Sequence, residues 1–458
     1  MLRQGATGIA RGGAGARLLS TIPSFNHTPP TYTGPSAEEV LRLRKENGHP
    51  NLFLYYKKPI VVSSGHRQYL YDEKGKRYLD MIAGIVTVSV GHTHPRLVAK
   101  LTEQAQRLWH STTIYLNDQF STYVRDLAAK MPGDLKSVYV VNSGSEANDL
   151  ALAMARVYTG ADQVLALRNS YHGMSYGANG LTSLHTWRHD IPLGQHITHV
   201  ANPDPYRGTH GSDVGAYLNE LRESIRFGGS GRVAGLWAEP IQGIGGTSVL
   251  LPGYLPGAVD IVRSHGGLFV ADEVQTGFGR MGTHYWGFQM HGVMPDIVVM
   301  AKGIGAGFPM AAVVTTPKIA QAFTSRLTFN TYGGNPLACA VGQEVLKIID
   351  DEKLMENSRV VGDHLMKGLV KLMDKHSIIG DVRGAGLMLG VEFVKDRATK
   401  EPAGAEAATV METLKDKGVL VGKGGLYGNC LRVKPPMCVT KEDADFFVDM
   451  LDESIKAL

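Results

Sequence analysis

The sequence predicts an α/β fold in which a mostly parallel central sheet has helices on both faces and a smaller α+β domain lies beside it. The main observation is a series of short apolar runs without polar alternation, which is typical of strands buried on both faces of a parallel sheet. These runs are Val138–Val141, Val164–Leu167, Val233–Ala238, Leu268–Ala271 and Ile297–Met300. Helical patterns such as Glu146–Tyr158 separate them, and this alternation favours a sheet over isolated core helices.

The smaller domain is predicted from the two ends of the chain. After Gly333 the pattern changes to long helices and then to short strands, namely Pro336–Asp351, a helix that ends near Lys375, Gly386–Phe393 and Cys430–Val433. The residues before Pro95 contain two strand-like segments and a hairpin turn, namely Lys57–Ser64, Gln68–Asp72 and Lys74–Lys76. We therefore expect a leader (1–37), an N-terminal segment of the small domain (38–95), a large domain (96–335) and the C-terminal part of the small domain (336–458).

The net charge of the chain lies mainly in its first residues. The formal net charge is +4, yet residues 1–37 contain Arg3, Arg11 and Arg17 and no acid, which leaves +1 for the remainder. So small a surplus gives no indication of a nucleic-acid partner. A basic, acid-free leader rich in Ala, Gly, Ser and Thr is typical of a mitochondrial transit peptide, and a disordered tail is the alternative. We expect a protein of the mitochondrial matrix.

Cysteine spacing and hydropathy argue against a disulfide-rich, zinc-binding or membrane-spanning protein. Cys339, Cys430 and Cys438 are widely spaced and form no CxxC pair, so neither a disulfide framework nor a zinc site is predicted. No apolar run approaches the length of a membrane-spanning helix, so we expect no membrane insertion. The scattered cysteines fit a reducing compartment.

The first chemical motif follows the strand Val138–Val141. Its residues, Asn142–Asn148, are NSGSEAN, in which small side chains let the backbone approach a ligand. Free N–H groups at the start of the next helix attract an anion such as phosphate. The alternative is a serine-rich helix N-cap without a ligand. The motif is neither GxGxxG nor GxxxxGK[ST], so a nucleotide-type phosphate site is not supported.

Two further strands end in an acid and a lysine. Asp272 follows Leu268–Ala271 and needs a cationic or donating partner in its low-dielectric surroundings. The protonated ring nitrogen of pyridoxal phosphate is one such partner; magnesium in a phosphotransferase and solvent are the alternatives. Lys302 follows Ile297–Met300, where burial lowers the pKa of its amine and suits Schiff-base chemistry, although surface lysines are common. The phosphate loop, aspartate and lysine together favour a pyridoxal-phosphate site.

Eight segments, in order along the chain, carry a resemblance to a known family. They are Tyr78–Asp80, Gly91–Pro95, Asn142–Asn148, Tyr171–Gly173, Glu239–Gly243, Asp272–Arg280, Lys302–Gly303 and Thr331–Pro336. On them the chain resembles the class III aminotransferases, which include ornithine, 4-aminobutyrate and ω-amino-acid aminotransferases, over nearly its whole length after the leader. The resemblance implies a fold type I transferase that depends on pyridoxal 5′-phosphate.

The resemblance also implies a role for each matching residue of the cofactor site. Lys302 would bind the cofactor covalently and later move a proton, and Asp272 would keep the pyridine nitrogen protonated. The other implied contacts are Gln275 with the phenolic oxygen, Val274 and Tyr171 with the two ring faces, Gly144 and Ser145 with the phosphate, and Thr331 with the phosphate in a neighbouring subunit. Because Thr331 would act across an interface, a homodimer or a tetramer is implied.

Arg432 and Glu239 bear on the substrate. Arg432 matches the family arginine that binds a substrate α-carboxylate through two hydrogen bonds, and a structural ion pair is the alternative. Glu239 matches the glutamate that neutralises this arginine when an ω-amino substrate binds. After Gly243 the family usually has Glu-Ala-Gly, whereas this chain has Ile244–Gly246, so ornithine or 4-aminobutyrate specificity is not carried over.

Within the family, the resemblance is greatest to mitochondrial members that transfer the amino group of alanine to glyoxylate and also accept β-amino acids such as 3-aminoisobutyrate. The segments that carry it are Leu108–His110 with Tyr115, Asn202–Arg207 and Lys434–Cys438. We therefore expect transamination from an amino acid to glyoxylate or pyruvate. The alternatives are another ω-amino-acid aminotransferase, a decarboxylase or aminomutase of the same fold, and a silent ligand-binding relative that would be free to lose Lys302.

Overall fold

The computed structural model describes residues 21–193 and 196–458. The expected leader residues Arg3, Arg11 and Arg17 lie outside the described residues. The strands are β1 (Val62–His66), β2 (Tyr69–Asp72), β3 (Arg77–Asp80), β4 (Ser137–Val141), β5 (Val164–Leu167), β6 (Ile197–Val200), β7 (Gly235–Ala238), β8 (Ile241–Gln242), β9 (Ser248–Val249), β10 (Leu268–Asp272), β11 (Ile297–Met300), β12 (Ala311–Thr315), β13 (Ile379–Ala385), β14 (Met388–Asp396), β15 (Glu401–Pro402), β16 (Val419–Leu420), β17 (Gly422–Gly424) and β18 (Cys430–Val433).

Helices alternate with these strands through most of the chain. They are α1 (Ala37–Asn47), α2 (Ala83–Val86), α3 (Pro95–Arg107), α4 (Asp118–Ala129), α5 (Gly144–Thr159), α6 (Tyr176–Leu181), α7 (Val214–Gly228), α8 (Tyr254–Ser264), α9 (Pro317–Ala322), α10 (Pro336–Asp351), α11 (Leu354–Lys375), α12 (Gly404–Asp416) and α13 (Lys441–Lys456). The short α2 is a single left-handed turn, since φ is positive at each of its residues. In the described residues, no helix is long and apolar enough to cross a membrane.

The central sheet has seven strands in the order β4-β12-β11-β10-β7-β5-β6. Neighbouring strands from β11 to β6 are parallel, and β12 alone lies antiparallel, between β11 and β4. Each of the five apolar runs in the sequence overlaps a strand of this sheet, which confirms the predicted mostly parallel α/β architecture. Two strands, β6 and β12, were not predicted.

Both faces of the central sheet are buried. Along β11, Val298 and Met300 belong to one apolar cluster, whereas Ile297 and Val299 belong to another. Because side chains alternate between the faces of a strand, these clusters lie on opposite sides of the sheet. Helix α5 packs on one side and α8 on the other. Because both faces of each strand are buried, the strands appear in the sequence as continuous apolar runs.

Two smaller sheets lie outside the central sheet, and one of them joins the two ends of the chain. One has the order β1-β2-β3-β16, in which the C-terminal β16 pairs in parallel with β3. The other has the order β13-β14-β18-β17, with β15 beside β14. The first pairing agrees with a small domain that combines residues from both ends, but the domain boundaries at residues 95 and 335 stay a prediction.

The described part of the expected leader packs against the folded body. Ile22 and Phe25 contact the main apolar cluster, and the Phe25 ring lies 4.7 Å from that of Tyr69. His27 stacks on His66 with the ring centres 4.3 Å apart. The body therefore extends back to at least Ile22, which is earlier than the boundary at residue 37 that composition suggested.

Candidate active site

Several strands of the central sheet end at one cavity. Asp272 ends β10, Lys302 follows β11, Glu239 follows β7, and Gly144 begins the helix after β4. The carboxyl ends of parallel strands lie at one edge of a sheet, where ligands of open α/β sheets bind. The cavity is about 130 Å³ and is lined by Gly144, Ser145, Tyr171, His172, Gly173, Glu239, Asp272, Val274, Gln275 and Lys302. A larger cavity of about 650 Å³, between Arg207 and Tyr427, contains none of these residues.

One end of the cavity is built to hold an anion. Ser143 caps α5, since its hydroxyl accepts from the N–H of Glu146 at 3.2 Å and its carbonyl accepts from Ala147. The N–H groups of Gly144 and Ser145 are then left at the helix N-terminus, which favours negative charge. Gly173 allows the loop to close over Ser145, because a Cβ at this residue would lie 2.4 Å from the Ser145 hydroxyl.

The other end of the cavity holds a buried carboxylate. Asp272 is 3% exposed, and its Oδ2 accepts from Nδ1 of His172 at 2.7 Å and from Nδ2 of Asn148 at 3.0 Å. Its Oδ1 accepts from the N–H of Val274 at 3.1 Å. Asn148 is itself fixed by the indole N–H of Trp237 at 3.1 Å. These donors orient the Asp272 carboxylate towards a cation in the cavity.

Lys302 approaches the cavity from a strained backbone position. Its φ of 52° lies in the left-handed region, which is uncommon for residues other than glycine and concentrates at functional sites. Burial lowers the pKa of the Lys302 amine from its ordinary value, and the Arg432 charge lowers it further, while Asp272 and Glu239 oppose this shift. A lowered pKa makes the amine available as a nucleophile and proton carrier.

Glu239 and Arg432 are both buried, but they do not pair with each other. Oε1 of Glu239 accepts from the N–H of Tyr171 at 3.0 Å, and Oε2 accepts from the N–H of Gly243 at 2.7 Å. Burial raises the pKa of Glu239. Arg432, on β18, donates from Nε to the carbonyl of Lys423 at 3.0 Å and from Nη2 to the Tyr55 hydroxyl at 3.1 Å. Its Nη1 is buried and has no partner among the described residues.

An aromatic wall connects Tyr171 to the arginine. The Tyr171 ring meets Trp187 edge to face at 5.2 Å, Trp187 meets Phe53 at 6.1 Å, and Phe53 lies 5.4 Å from Tyr55. Tyr55 then contacts Arg432. The sequence pattern gave no indication of Phe53, Tyr55 or Trp187, because they come from segments far apart in the chain. His172 and Asn148, which hydrogen-bond to Asp272, lie in two of the segments that carry the family resemblance, but no role was predicted for either.

The remaining predicted residues have different positions. Val274 and Gln275 line the cavity, as expected for contacts with a planar ring. Thr331, in contrast, is exposed and does not line the cavity of its own chain. The structure thus brings together Gly144, Ser145, Tyr171, Glu239, Asp272, Val274, Gln275 and Lys302, places Arg432 nearby on β18, and leaves Thr331 at the surface.

The residues around the cavity fit pyridoxal phosphate. Backbone N–H groups at the start of α5 suit its phosphate, and the oriented carboxylate of Asp272 suits a protonated pyridine nitrogen. Lys302 supplies the amine that an aldehyde requires. The three groups line one cavity, which none of the separate sequence motifs could establish.

Comparisons with known proteins agree with this fit. The family model described as aminotransferase class III matches residues 55–455. A protein of Arabidopsis thaliana named alanine–glyoxylate aminotransferase 2 homolog 2, mitochondrial, is 51% identical, with 95% of this chain and 91% of that protein covered. The Homo sapiens protein named alanine–glyoxylate aminotransferase 2, mitochondrial, is 41% identical, with 95% of this chain and 89% of that protein covered.

Solved structures share the fold. A phospholyase from Arthrobacter in complex with phosphoethanolamine is 33% identical with a TM-score of 0.85, covering 92% of this chain and 100% of its own. An amine transaminase from an uncultivated Pseudomonas species, in a form bound to pyridoxal phosphate, is 30% identical with a TM-score of 0.83, covering 89% and 98%. With a family model that matches most of its length, and a fold and cavity of the same kind, the chain belongs to the class III aminotransferases, the pyridoxal-phosphate-dependent transaminases of fold type I.

Proposed function

We propose that this aminotransferase moves the amino group of alanine, or of a β-amino acid such as 3-aminoisobutyrate, to glyoxylate or pyruvate. The observation that carries the proposal is Arg432, whose buried Nη1 lacks a partner within residues 21–193 and 196–458. A buried guanidinium nitrogen without a partner costs free energy unless a ligand accepts from it, and a carboxylate is the ligand that matches guanidinium geometry. The names of the relatives from Arabidopsis thaliana and Homo sapiens support alanine and glyoxylate as the pair.

Each residue of the cavity would bind a different part of the cofactor. When bound, pyridoxal phosphate supplies an aldehyde that reacts with amines and a ring that takes up electrons. Gly144 and Ser145 would donate N–H groups to its phosphate, and Val274 and Tyr171 would pack on its two faces. Asp272 would hold the ring nitrogen protonated, and Gln275 would donate to the phenolic oxygen. Support comes from the shared lining of one cavity.

Lys302 would act as the proton carrier. Its lowered pKa leaves a larger fraction of neutral amine near neutral pH than an ordinary lysine has. The neutral amine can accept a proton from the substrate α-carbon, and the resulting ammonium can return it on the other side of the transfer. Gly303, the next residue, packs closely against Ser89, since a Cβ on Gly303 would lie 2.7 Å from the Ser89 hydroxyl.

Glu239 would set the choice between substrates. In the described conformation both of its oxygens accept backbone N–H groups, so Arg432 is free to bind a carboxylate. To neutralise Arg432 for an ω-amino substrate, Glu239 would have to give up the N–H groups of Tyr171 and Gly243. This arrangement favours small substrates with a carboxylate near the amino group over long ω-amino acids.

A homodimer would complete the site. Large apolar side chains are exposed near Thr331 in sequence and in the segment after α3, namely Trp109, Ile114, Tyr115, Leu116, Leu327, Phe329 and Tyr332. Apolar surface of this kind marks an interface. Covering it with a second copy would let the exposed Thr331 reach the phosphate in the neighbouring cavity, as the family resemblance implies.

The mitochondrial matrix is the proposed location. Support comes from the names of the relatives, which are called mitochondrial, and from the acid-free, arginine-containing start of the sequence.

The proposed reaction can be followed by the colour of the protein. Adding alanine to the cofactor-loaded protein should remove the visible absorption band, because the amino group passes to the cofactor, and adding glyoxylate should restore the band. Phosphoethanolamine is the control, since a structural relative is a phospholyase. Release of inorganic phosphate from phosphoethanolamine, without a response to alanine, would contradict the proposal.

A further inference from the structure

A buried lysine lies beside the cofactor cavity and has no role in the reaction described above. Lys434 follows β18, two residues after Arg432, and is completely buried. Its Nζ donates to the carbonyl oxygen of Gly243 and to Oε1 of Gln275, each at 3.2 Å. Side chains two residues apart in a strand point to the same face, so the segment that carries Arg432 towards the substrate also carries Lys434 towards Gln275.

Packing alone does not explain a lysine at this position. Burying an amine without full solvation costs free energy, and an apolar side chain of similar length would fill the space without that cost. Burial and the Arg432 charge hold the pKa of Lys434 well below its ordinary value, with Glu239 opposing the shift. The ionisable groups that act on its amine are Arg432, Glu239, Cys430 and Arg280. The buried Lys434 amine costs free energy and contacts Gln275, a residue proposed to bind the cofactor. This combination indicates that Lys434 has a role in the site.

The hydrogen bond to Lys434 determines the orientation of the Gln275 side chain. The amide atom that faces Nζ of Lys434 is Oε1, and an amine N–H can donate to this oxygen whether or not the amine is protonated. Gly243 lies against the amide, since a Cβ on this residue would be 2.1 Å from Nε2 and 2.3 Å from Oε1. With Gly243 against the amide and Lys434 at its oxygen, the N–H₂ group of Gln275 is the edge left for the cavity that Gln275 lines.

We propose that Lys434 is a positioning residue of the cofactor site, which holds the Gln275 amide so that it presents N–H donors, and not its oxygen, to the phenolic oxygen of pyridoxal phosphate. The inference rests on the proposed contact between Gln275 and that oxygen. A donor stabilises the anionic form of the phenolic oxygen, whereas a flipped amide would repel it. Lys434 therefore controls the charge state of the cofactor without touching it.

A spectroscopic titration of the cofactor-loaded protein tests the proposal. Lys434→Met removes the hydrogen bond that orients Gln275, so the pH midpoint of the visible band should rise by about one unit. Gln275→Ala should raise the midpoint at least as much. If Lys434 acts through Gln275, the double variant should have the midpoint of Gln275→Ala alone.

Matched variants separate positioning from stability. Lys415 is also buried, but its amine contacts Glu412 and the carbonyl of Lys58, so Lys415→Met should lower the melting temperature without moving the midpoint. If Lys434→Met does not fold, Lys434→Gln offers either amide edge to Gln275, and a smaller rise in midpoint is expected. An unchanged midpoint in the folded Lys434 variants, or fully additive shifts in the double variant, overturns the proposal. If the pH midpoint of the visible band does not change in Gln275→Ala, Gln275 does not bind the phenolic oxygen, and it is the proposed cofactor contact that fails.

Discussion

The carboxylate of Asp272 and the imidazole of His172 lie 2.7 Å apart, joined through Oδ2 and Nδ1 in a fully buried contact. Because Nδ1 faces the carboxylate, it carries the proton and donates it. The opposite nitrogen, Nε2, is buried without a partner among the described residues. The contact orients the Asp272 carboxylate, as a partner for a protonated ring nitrogen requires.

Removing His172 should therefore slow the reaction without abolishing it. In His172→Phe, Asp272 keeps the hydrogen bond from Asn148 and loses the shorter one from His172. A hydrogen bond to a charged group contributes roughly 1.5–3 kcal/mol, so we expect kcat to fall about ten- to a hundredfold. Steady-state kinetics with alanine and glyoxylate measure this. His199→Phe is the control, because His199 is half-buried outside the cavity and contacts the carbonyl of Leu181; equal losses in both variants would contradict the account.

Gly173→Ala should weaken cofactor binding. The new Cβ would lie 2.4 Å from the Ser145 hydroxyl, so Ser145 must move away from the anion-binding end of the cavity. We expect the Kd for pyridoxal phosphate to rise at least about tenfold, which corresponds to ~1.4 kcal/mol. Gly211→Ala is a matched control, since Gly211 also has a positive φ but no atom within 4 Å of the new Cβ. Both variants should lose some thermal stability, and only Gly173→Ala should lose affinity for the cofactor.

Lys302 should react with the cofactor at a lower pH than an ordinary lysine. Only the neutral amine attacks an aldehyde, and the neutral fraction grows as pH rises through the pKa. Burial lowers that pKa, so the rate of cofactor incorporation into the cofactor-free protein should reach half its maximum below the ordinary lysine value of about 10.4. Glu239→Gln removes a charge that raises the Lys302 pKa, so this midpoint should move lower still. A midpoint that moves upward would show that Glu239 does not act on Lys302.

The leader should direct a reporter to mitochondria. Residues Met1–Ser24 fused to a fluorescent protein should colocalise with a mitochondrial marker, since they carry basic residues and no acid. Replacing Arg3, Arg11 and Arg17 by glutamate should leave the reporter in the cytosol. If the charge-reversed reporter still enters mitochondria, the segment is an ordinary tail and the location depends on another signal.

The sequence was sufficient to predict five strands of the central sheet but not β6 and β12. Leu268–Ala271 and Ile297–Met300 are apolar throughout because both faces of the sheet are covered. In β6, Thr198 and His199 interrupt the apolar run at the sheet edge, where burial is incomplete. In β12, alanines begin the strand and carry little β-propensity.

The active site was predictable where chemistry follows a strand end directly. Asp272 and Lys302 could be identified because a charged residue after an apolar run is conspicuous. Lys434 and His172 could not, since their partners, Gln275 and Asp272, are a hundred or more positions away in the chain. Only the fold shows that these side chains meet.

Substrate preference in Arg432 variants tests the central claim, that the cavity transfers amino groups from amino acids whose carboxylate Arg432 binds. Lysine keeps the charge but not the planar pair of donors, so Arg432→Lys should raise the KM for alanine and glyoxylate. Arg432→Ala should lower kcat/KM for alanine at least about tenfold, because hydrogen bonds to charged groups are lost. An amine without a carboxylate should be transaminated at nearly the same rate by all forms, and the visible band of the bound cofactor should be unchanged. Equal losses for alanine and for the amine would contradict the claim and make Arg432 a structural residue.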